Sequence, residues 1–162
     1  MRKWLIAFAA LLAGAVHASA LTDQLNRLVA NGEMEQAYRE ASPHQQQLAG
    51  EPDYDLPYGI AAIDTGHINE GVFALERVLF LQPANHRARL EYARGLFILG
   101  EDAQARQAFN RVLDEADPPT SVREKVEQFL AAIRRRESRY STSARGYVGL
   151  GIGHDSNINS AP

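Results

Sequence analysis

Apolar side chains recur along this chain at helical spacing, in short paired stripes. Tyr58, Ala62 and Ile63 form one stripe, Gly66 follows, and Val72, Leu75, Val78 and Leu79 form the next. The pattern then repeats with Leu90, Ala93, Leu96 and Phe97, a glycine at Gly100, and Ala105, Ala108, Phe109 and Val112. Residues three and four apart share a helix face, so each stripe predicts an amphipathic helix and each glycine its end. Pro83 closes the first pair of helices, and Asp117-Pro118-Pro119 closes the second.

The helix pairs are copies of one unit. Gly32, Gly66 and Gly100 recur at intervals of 34 residues. The same offset links Leu28, Ala62 and Leu96; Ala37, Gly71 and Ala105; and Ala41, Leu75 and Phe109. It also links Tyr58 to Tyr92, Gly59 to Ala93 and Val78 to Val112. The small residues Gly59, Ala93, Ala37, Gly71 and Ala105 have a steric role, because paired helices approach closely only where one side chain is nearly absent. One hairpin cannot bury its own apolar face, so the units must stack.

These columns resemble the tetratricopeptide repeat (TPR) family, whose unit has this length. The match is best over residues 52–119, through Tyr58-Gly59, Gly66, Leu75, Val78 and Pro83, then Tyr92-Ala93, Gly100, Ala105, Phe109 and Val112. It is weaker over residues 21–51, where Gly32 and Ala37 fit but Pro43 to Gln47 is polar. Asp55 and Arg89 stand where the family places a large aromatic. Pro57 also lies near a helix start, a place where proline is tolerated only in the first turn. Asp55 therefore reads as the cap of a helix one turn short. The expected fold is all-α, a solenoid of three TPR-like repeats at 21–51, 52–85 and 86–119.

A lone amphipathic helix is expected at residues 120–139. Ser121 and Glu124 suit a capping box, and Val122, Val126, Phe129, Leu130 and Ile133 fall on one face. Arg134, Arg135, Arg136 and Arg139 crowd its end, where cations meet the helix dipole favourably. A solenoid needs such a terminal cap. From Tyr140 the period shortens to two, with Tyr147, Gly149, Gly151 and Gly153 alternating with Val148, Leu150 and Ile152. Residues 140–162 thus read as a linker and a β-strand-like tail, ending at the turn formers Asp155-Ser156-Asn157. The alternating run has the length of one transmembrane β-strand.

The other end of the chain carries an address. Arg2 and Lys3 precede the uncharged apolar run Trp4–Val16, and Ala18-Ser19-Ala20 offers a small-x-small cleavage site. This is the layout of a secretory signal over residues 1–20. It places the mature chain, from Leu21, in a bacterial periplasm or beyond, with attachment to the outer membrane as an open alternative. The run is shorter than the ~20 residues that span a bilayer.

Composition then narrows the function. The 162 residues include 17 basic and 20 acidic side chains, 45% apolar residues and no cysteine, with a net charge of −3. One globular domain fits these values. Without cysteine there is no disulfide framework or thiolate metal site. Nucleic acid is an unsuitable partner, since phosphates demand a basic face. Charge is uneven: residues 21–119 hold eight arginines against sixteen acids, whereas residues 120–139 hold six basic groups against three acids.

An isolated strand needs partners on both edges, so the strand-like tail suggests the front part of a longer protein. An exported TPR segment followed by a Gly-rich strand ending GHDSNIN resembles bacterial outer-membrane proteins that join periplasmic repeats to a barrel. The surface lipoprotein assembly modulator group is one example. That resemblance implies the N-terminal part of an outer-membrane protein assembly or translocation factor. The alternative is a free periplasmic TPR adaptor that scaffolds an envelope complex.

Catalytic chemistry finds no constellation. Gly149-x-Gly151-x-Gly153 has His154 where a dinucleotide fingerprint needs its last glycine, and turn residues follow in place of its helix. His44, His67 and His86 have no metal-ligand spacing, and Ser141, Ser143, Ser156 and Ser160 have no accompanying base and acid. No enzyme, metal or cofactor is expected. The expected activity is protein or peptide binding. In TPR proteins the first helix of each unit lines a concave groove, and the resemblance points to Leu56, Ile60, Ile63 and Asp64, then Arg87, Leu90, Arg94 and Phe97. Arg87 and Arg94, seven residues apart, share a face and suit a carboxylate or peptide backbone. The carboxylate clamps of cytosolic members use Lys and Asn, a set that only Asn26 resembles here.

Overall fold

A computed structural model describes residues 19–116 and 118–149 of the chain, and no strand occurs among them. All but the last two residues of the expected export signal lie outside this range. Helix α1 occupies residues 19–31. It is followed by α2 (Met34–Ala41), a 3-10 turn (Ser42–His44) and α3 (Gln45–Leu48). Then come α4 (Pro52–Asp64), α5 (Ile68–Leu81), α6 (His86–Leu99), α7 (Asp102–Ala116) and α8 (Thr120–Gly149). The chain divides into two compact units between Pro118 and Pro119.

In the first unit the three periodic glycines do one job. Gly32, Gly66 and Gly100 have φ of 80°, 88° and 83°, a left-handed conformation that side chains with a Cβ resist. The amide after each glycine reaches back to close the preceding helix. Glu33 donates to the Leu28 carbonyl at 2.9 Å, His67 to Ala62 at 2.8 Å and Glu101 to Leu96 at 3.0 Å. These are Schellman stops, which satisfy carbonyls orphaned at a helix end. The acceptors are one column of the sequence repeat. The next helix then opens identically, with the amides of Ala37, Gly71 and Ala105 bonding the carbonyls of Glu33, His67 and Glu101.

Consecutive helices pack in chain order, α4 on α5, α5 on α6 and α6 on α7, with α2 against α4. Small residues set the spacing. Ala37, Ala93 and Ala105 are fully buried. A Cβ on Gly59 would lie 2.8 Å from Leu75 Cγ, and one on Gly71 would lie 2.6 Å from the Gly59 carbonyl oxygen. Around these contacts the buried side chains gather in clusters. Leu25 packs with Ala41, Tyr54, Tyr58 and Ala74; Leu28 and Val29 with Ala37, Ile60 and Ala61; and Ile63 with Leu75, Val78 and Ala88.

Several local expectations need correction. Asp55 does not cap α4, which begins at Pro52 with Glu51 as its N-cap. Pro52 occupies the first helical position, where its missing N–H costs nothing. Pro57 lies inside the helix and is buried. The carbonyl it leaves without a donor belongs to Asp53, which is exposed to water, so the usual penalty is relieved. The second helix of the first repeat is not continuous either. Pro43 opens a 3-10 turn between α2 and α3, because it has no N–H for an α-helical bond.

Helix α8 belongs to the second unit. It starts at Thr120, and the amides of Val122 and Arg123 bond the Pro119 carbonyl, so Ser121 lies within the first turn and does not act as its cap. The helix runs to Gly149 and does not end near Arg139. No proline interrupts Tyr140–Tyr147, and the first glycine there is Gly146, so nothing in the local sequence forces an earlier stop. Leu150 onward, which holds most of the strand-like segment, lies outside the described residues.

Candidate protein-binding surface

Asp64 at the end of α4 and Arg94 in the middle of α6 are joined directly. Arg94 Nη1 donates to Asp64 Oδ1 at 2.5 Å, and its Nε donates to Glu91 Oε2 at 2.7 Å. The bond between Arg94 and Asp64 crosses from one repeat to the next, so the first helices of adjacent units share a surface at this point. Burial alone would lower the Arg94 pKa, but the two carboxylates overcome it and hold the guanidinium above its usual value. Arg94 is therefore a structural cation with two internal carboxylates. It meets any external acid in competition with them.

The other candidate groove residues divide by burial. Arg87 is exposed, while Leu90 and Phe97 are half-buried on the same helix. Leu56 is half-buried and packs against the clusters around Ile60 and Ile63. Ile60 and Ile63, each 3% exposed, belong to the core and offer nothing to a ligand. Their places in the stripe that packs between helices account for this. The large apolar side chains most open to solvent are instead Phe73 (62%) and Phe80 (83%) on α5, which sequence reading did not single out.

Two polar arrangements were also missed. Asp55 is fully buried, yet its carboxylate is well served. Arg77 Nε donates to Oδ2 at 2.9 Å and Nη2 to Oδ1 at 2.6 Å, while the Gly50 amide donates to Oδ2 at 2.8 Å. The hydrogen bonds to Asp55 raise the Arg77 pKa against the opposing effect of burial. The only signal in the sequence was a charged residue in a column of large aromatics. Arg89, the next residue in that column, is 7% exposed and donates to the Pro83 carbonyl.

The second is a ladder of rings between the first two repeats. His67 stacks on Tyr38 with centroids 4.1 Å apart, Tyr38 on Tyr58 at 5.9 Å, and Tyr58 on Tyr54 at 5.5 Å. Glu70 Oε2 accepts from the Tyr38 hydroxyl at 3.0 Å and from the Tyr58 hydroxyl at 2.5 Å. Burial pushes the phenols of Tyr58 and Tyr54 far up, and the Glu70 carboxylate adds to the effect on Tyr58. The ladder ties α2 to α4 and α5.

This architecture has known counterparts. No family model matches the chain. In structure, the chain is similar to the Sgt2 TPR domain from Aspergillus fumigatus, with a TM-score of 0.62 and 14% identity, covering 90% of this chain and 91% of that one. In sequence, it is similar to the surface lipoprotein assembly modifier of Moraxella catarrhalis, 29% identical over 103 residues. The chain has the fold of a TPR domain. The matched region covers 64% of this chain, and the chain spans 19% of the length of that curated relative.

The Asp64–Arg94 pair and the stack of Tyr38 on Tyr58 join one repeat to the next, the Asp55–Arg77 pair joins the two helices of one repeat, and the Glu91–Arg94 pair lies within α6. Among the described residues, no helix is long and apolar enough to cross a membrane, and no group of three His, Cys, Asp or Glu side chains is placed to hold a metal ion. The scaffold offers surfaces for binding.

Proposed function

We propose that this protein is a periplasmic protein-interaction module, the N-terminal part of an outer-membrane protein assembly or translocation factor, and that it binds a client along α4 and α6. One observation carries the placement. The bond between Arg94 and Asp64 makes the first helices of two repeats a continuous surface, on which Arg87 is exposed and Leu90 and Phe97 are partly so. Arg87, Leu90, Arg94 and Phe97 recur at helical spacing on α6, giving a mixed basic and apolar strip. A client peptide would lay apolar side chains on Leu90 and Phe97 while Arg87 meets its backbone carbonyls or carboxylates. The relationship to a surface lipoprotein assembly modifier supports the envelope setting, and the secretory layout of residues 1–20 supports export.

The test is photo-cross-linking in living cells from a reactive residue placed at position 87, with mass spectrometry of the trapped partner and fractionation of the envelope. The reading predicts an envelope client, captured from position 87 and lost with Leu90→Glu while far-UV helicity is unchanged. Capture unaffected by Leu90→Glu removes the strip from the account. A product that stays soluble after membranes are pelleted, still trapping a partner, points to a free periplasmic adaptor.

A further inference from the structure

Comparison of two successive repeats shows a site whose charge is inverted. In the repeat at 52–85, the Asp55 carboxylate is gripped by Arg77 in two places, Glu70 accepts from Tyr58, and the Tyr54 ring is fully buried beside them. The positions 34 residues later are Arg89 for Asp55, Arg111 for Arg77, Gln104 for Glu70, Tyr92 for Tyr58 and Ala88 for Tyr54. The cation on the second helix is kept, the acid it would grip is gone, and the ring has shrunk to a methyl group. A cavity of about 290 Å³ lies beside Arg89 and Arg111, lined also by Leu79, Tyr92, Gln104 and Gln107 among others. Among the described lining residues none is acidic, and the polar ones carry guanidinium, amide or phenol donors. Arg111 is exposed.

We propose that this cavity between α6 and α7 takes a carboxylate from a partner peptide, an Asp or Glu side chain, which sits on Arg111 as Asp55 sits on Arg77. The inference deepens the protein-binding reading above and rests on it, and the site is separate from the strip on α6. A planar guanidinium recognises a carboxylate through paired N–H donors. Gln104 and Gln107 supply further amide donors in the same cavity, and Leu79 gives an aliphatic side chain room to pack.

The experiment is a titration of the isotope-labelled 162-residue chain, followed by amide NMR, with acetyl-Ala-Glu-Ala-amide, its Gln counterpart and sodium acetate. The Glu peptide is expected to shift Gln107, Ala108 and Arg111 saturably, and the Gln peptide to bind at least about tenfold more weakly, as loss of a charge-assisted pair requires. Arg111→Gln should abolish the response with the rest of the spectrum unchanged. If that variant does not fold, Gln107→Glu, which sets an internal carboxylate beside Arg111, should block the peptide instead. Equal response to both peptides, or a response that survives Arg111→Gln or Gln107→Glu, overturns the proposal. Acetate binding as tightly as the Glu peptide also overturns it in favour of a free-anion site. Loss of this titration alone leaves capture from position 87 standing, and failure of that capture leaves the titration standing, so the two readings fail separately.

Discussion

Gly71 approaches Gly59 so closely that a Cβ on Gly71 would lie 2.6 Å from the Gly59 carbonyl oxygen. The obstacle is backbone, which cannot turn aside as a side-chain tip does. Ala in a helix gains about 1 kcal/mol over Gly, but overpacking of this kind costs about 1–3 kcal/mol, so Gly71→Ala should destabilise. Gly95 is the control. Its Cβ would meet Val72 Cγ2 at 2.6 Å and Ile63 Cδ1 at 2.9 Å, side-chain atoms that yield more readily than backbone. Thermal unfolding should place Gly71→Ala below Gly95→Ala; the reverse order would show that backbone contact does not set the α4–α5 spacing.

The pairing of Asp55 with Arg77 is unequal, since the acid is fully buried and the arginine 35% exposed. Arg77→Met strands a carboxylate with the Gly50 amide as its remaining described partner. Breaking a buried pair costs about 3–5 kcal/mol, and partial exposure of Arg77 puts this case near the lower end. Asp55→Leu leaves the guanidinium able to turn to water and should cost less. The double variant, Asp55→Leu with Arg77→Met, should recover part of the loss. Denaturant unfolding of the three variants checks the order, and a double variant worse than Arg77→Met would refute it.

How much of this was legible follows the same division. Period, helix pairing and the three glycine stops were readable, because a left-handed helix end selects Gly and a close helix contact selects Gly or Ala. Those constraints act on one residue type at a fixed interval. Asp55 was misread because Pro57 and a carboxylate both suit a helix start, and only the reach of Arg77, 22 residues on, reveals the buried pair. The groove residues were half legible. Helical spacing put Ile60 and Ile63 on the same elements as Leu56 and Asp64, but it does not say which stripe faces a neighbouring helix. The cavity beside Arg111 was invisible in one repeat alone and emerges from comparing two.

The pair of Arg94 with Asp64 should add little to stability. The Arg94 side chain is 25% exposed and that of Asp64 29%, and partly exposed pairs contribute about 1 kcal/mol or less. Asp64→Asn is therefore expected to lower stability by no more than about 1 kcal/mol. It leaves Glu91 as the described carboxylate on Arg94 and frees part of the guanidinium for an external acid. Client capture from position 87 should rise in Asp64→Asn if the client presents carboxylates to α6. Unchanged capture with unchanged stability would place Arg94 outside the contact.

The tyrosine ladder gives the protein an alkaline limit. Burial raises the phenols of Tyr38, Tyr54, Tyr58 and Tyr92 above their usual value of 10.0, and Glu70 adds to the effect on Tyr38 and Tyr58. A raised value in the folded state means that both states hold their protons below pH 10, so the stabilisation is fully present there. Above it the unfolded chain releases protons that the folded chain keeps. Stability must then fall with rising pH, by about 1.4 kcal/mol per pH unit for each phenol fully withheld. Tyr58→Phe removes one such phenol and its bond to Glu70. It should lower stability near neutrality by about 1 kcal/mol yet flatten the decline above pH 10. Parallel unfolding curves for wild type and Tyr58→Phe across that range would show that Tyr58 ionises as freely in the fold as in water, and the buried ladder would lose its energetic role.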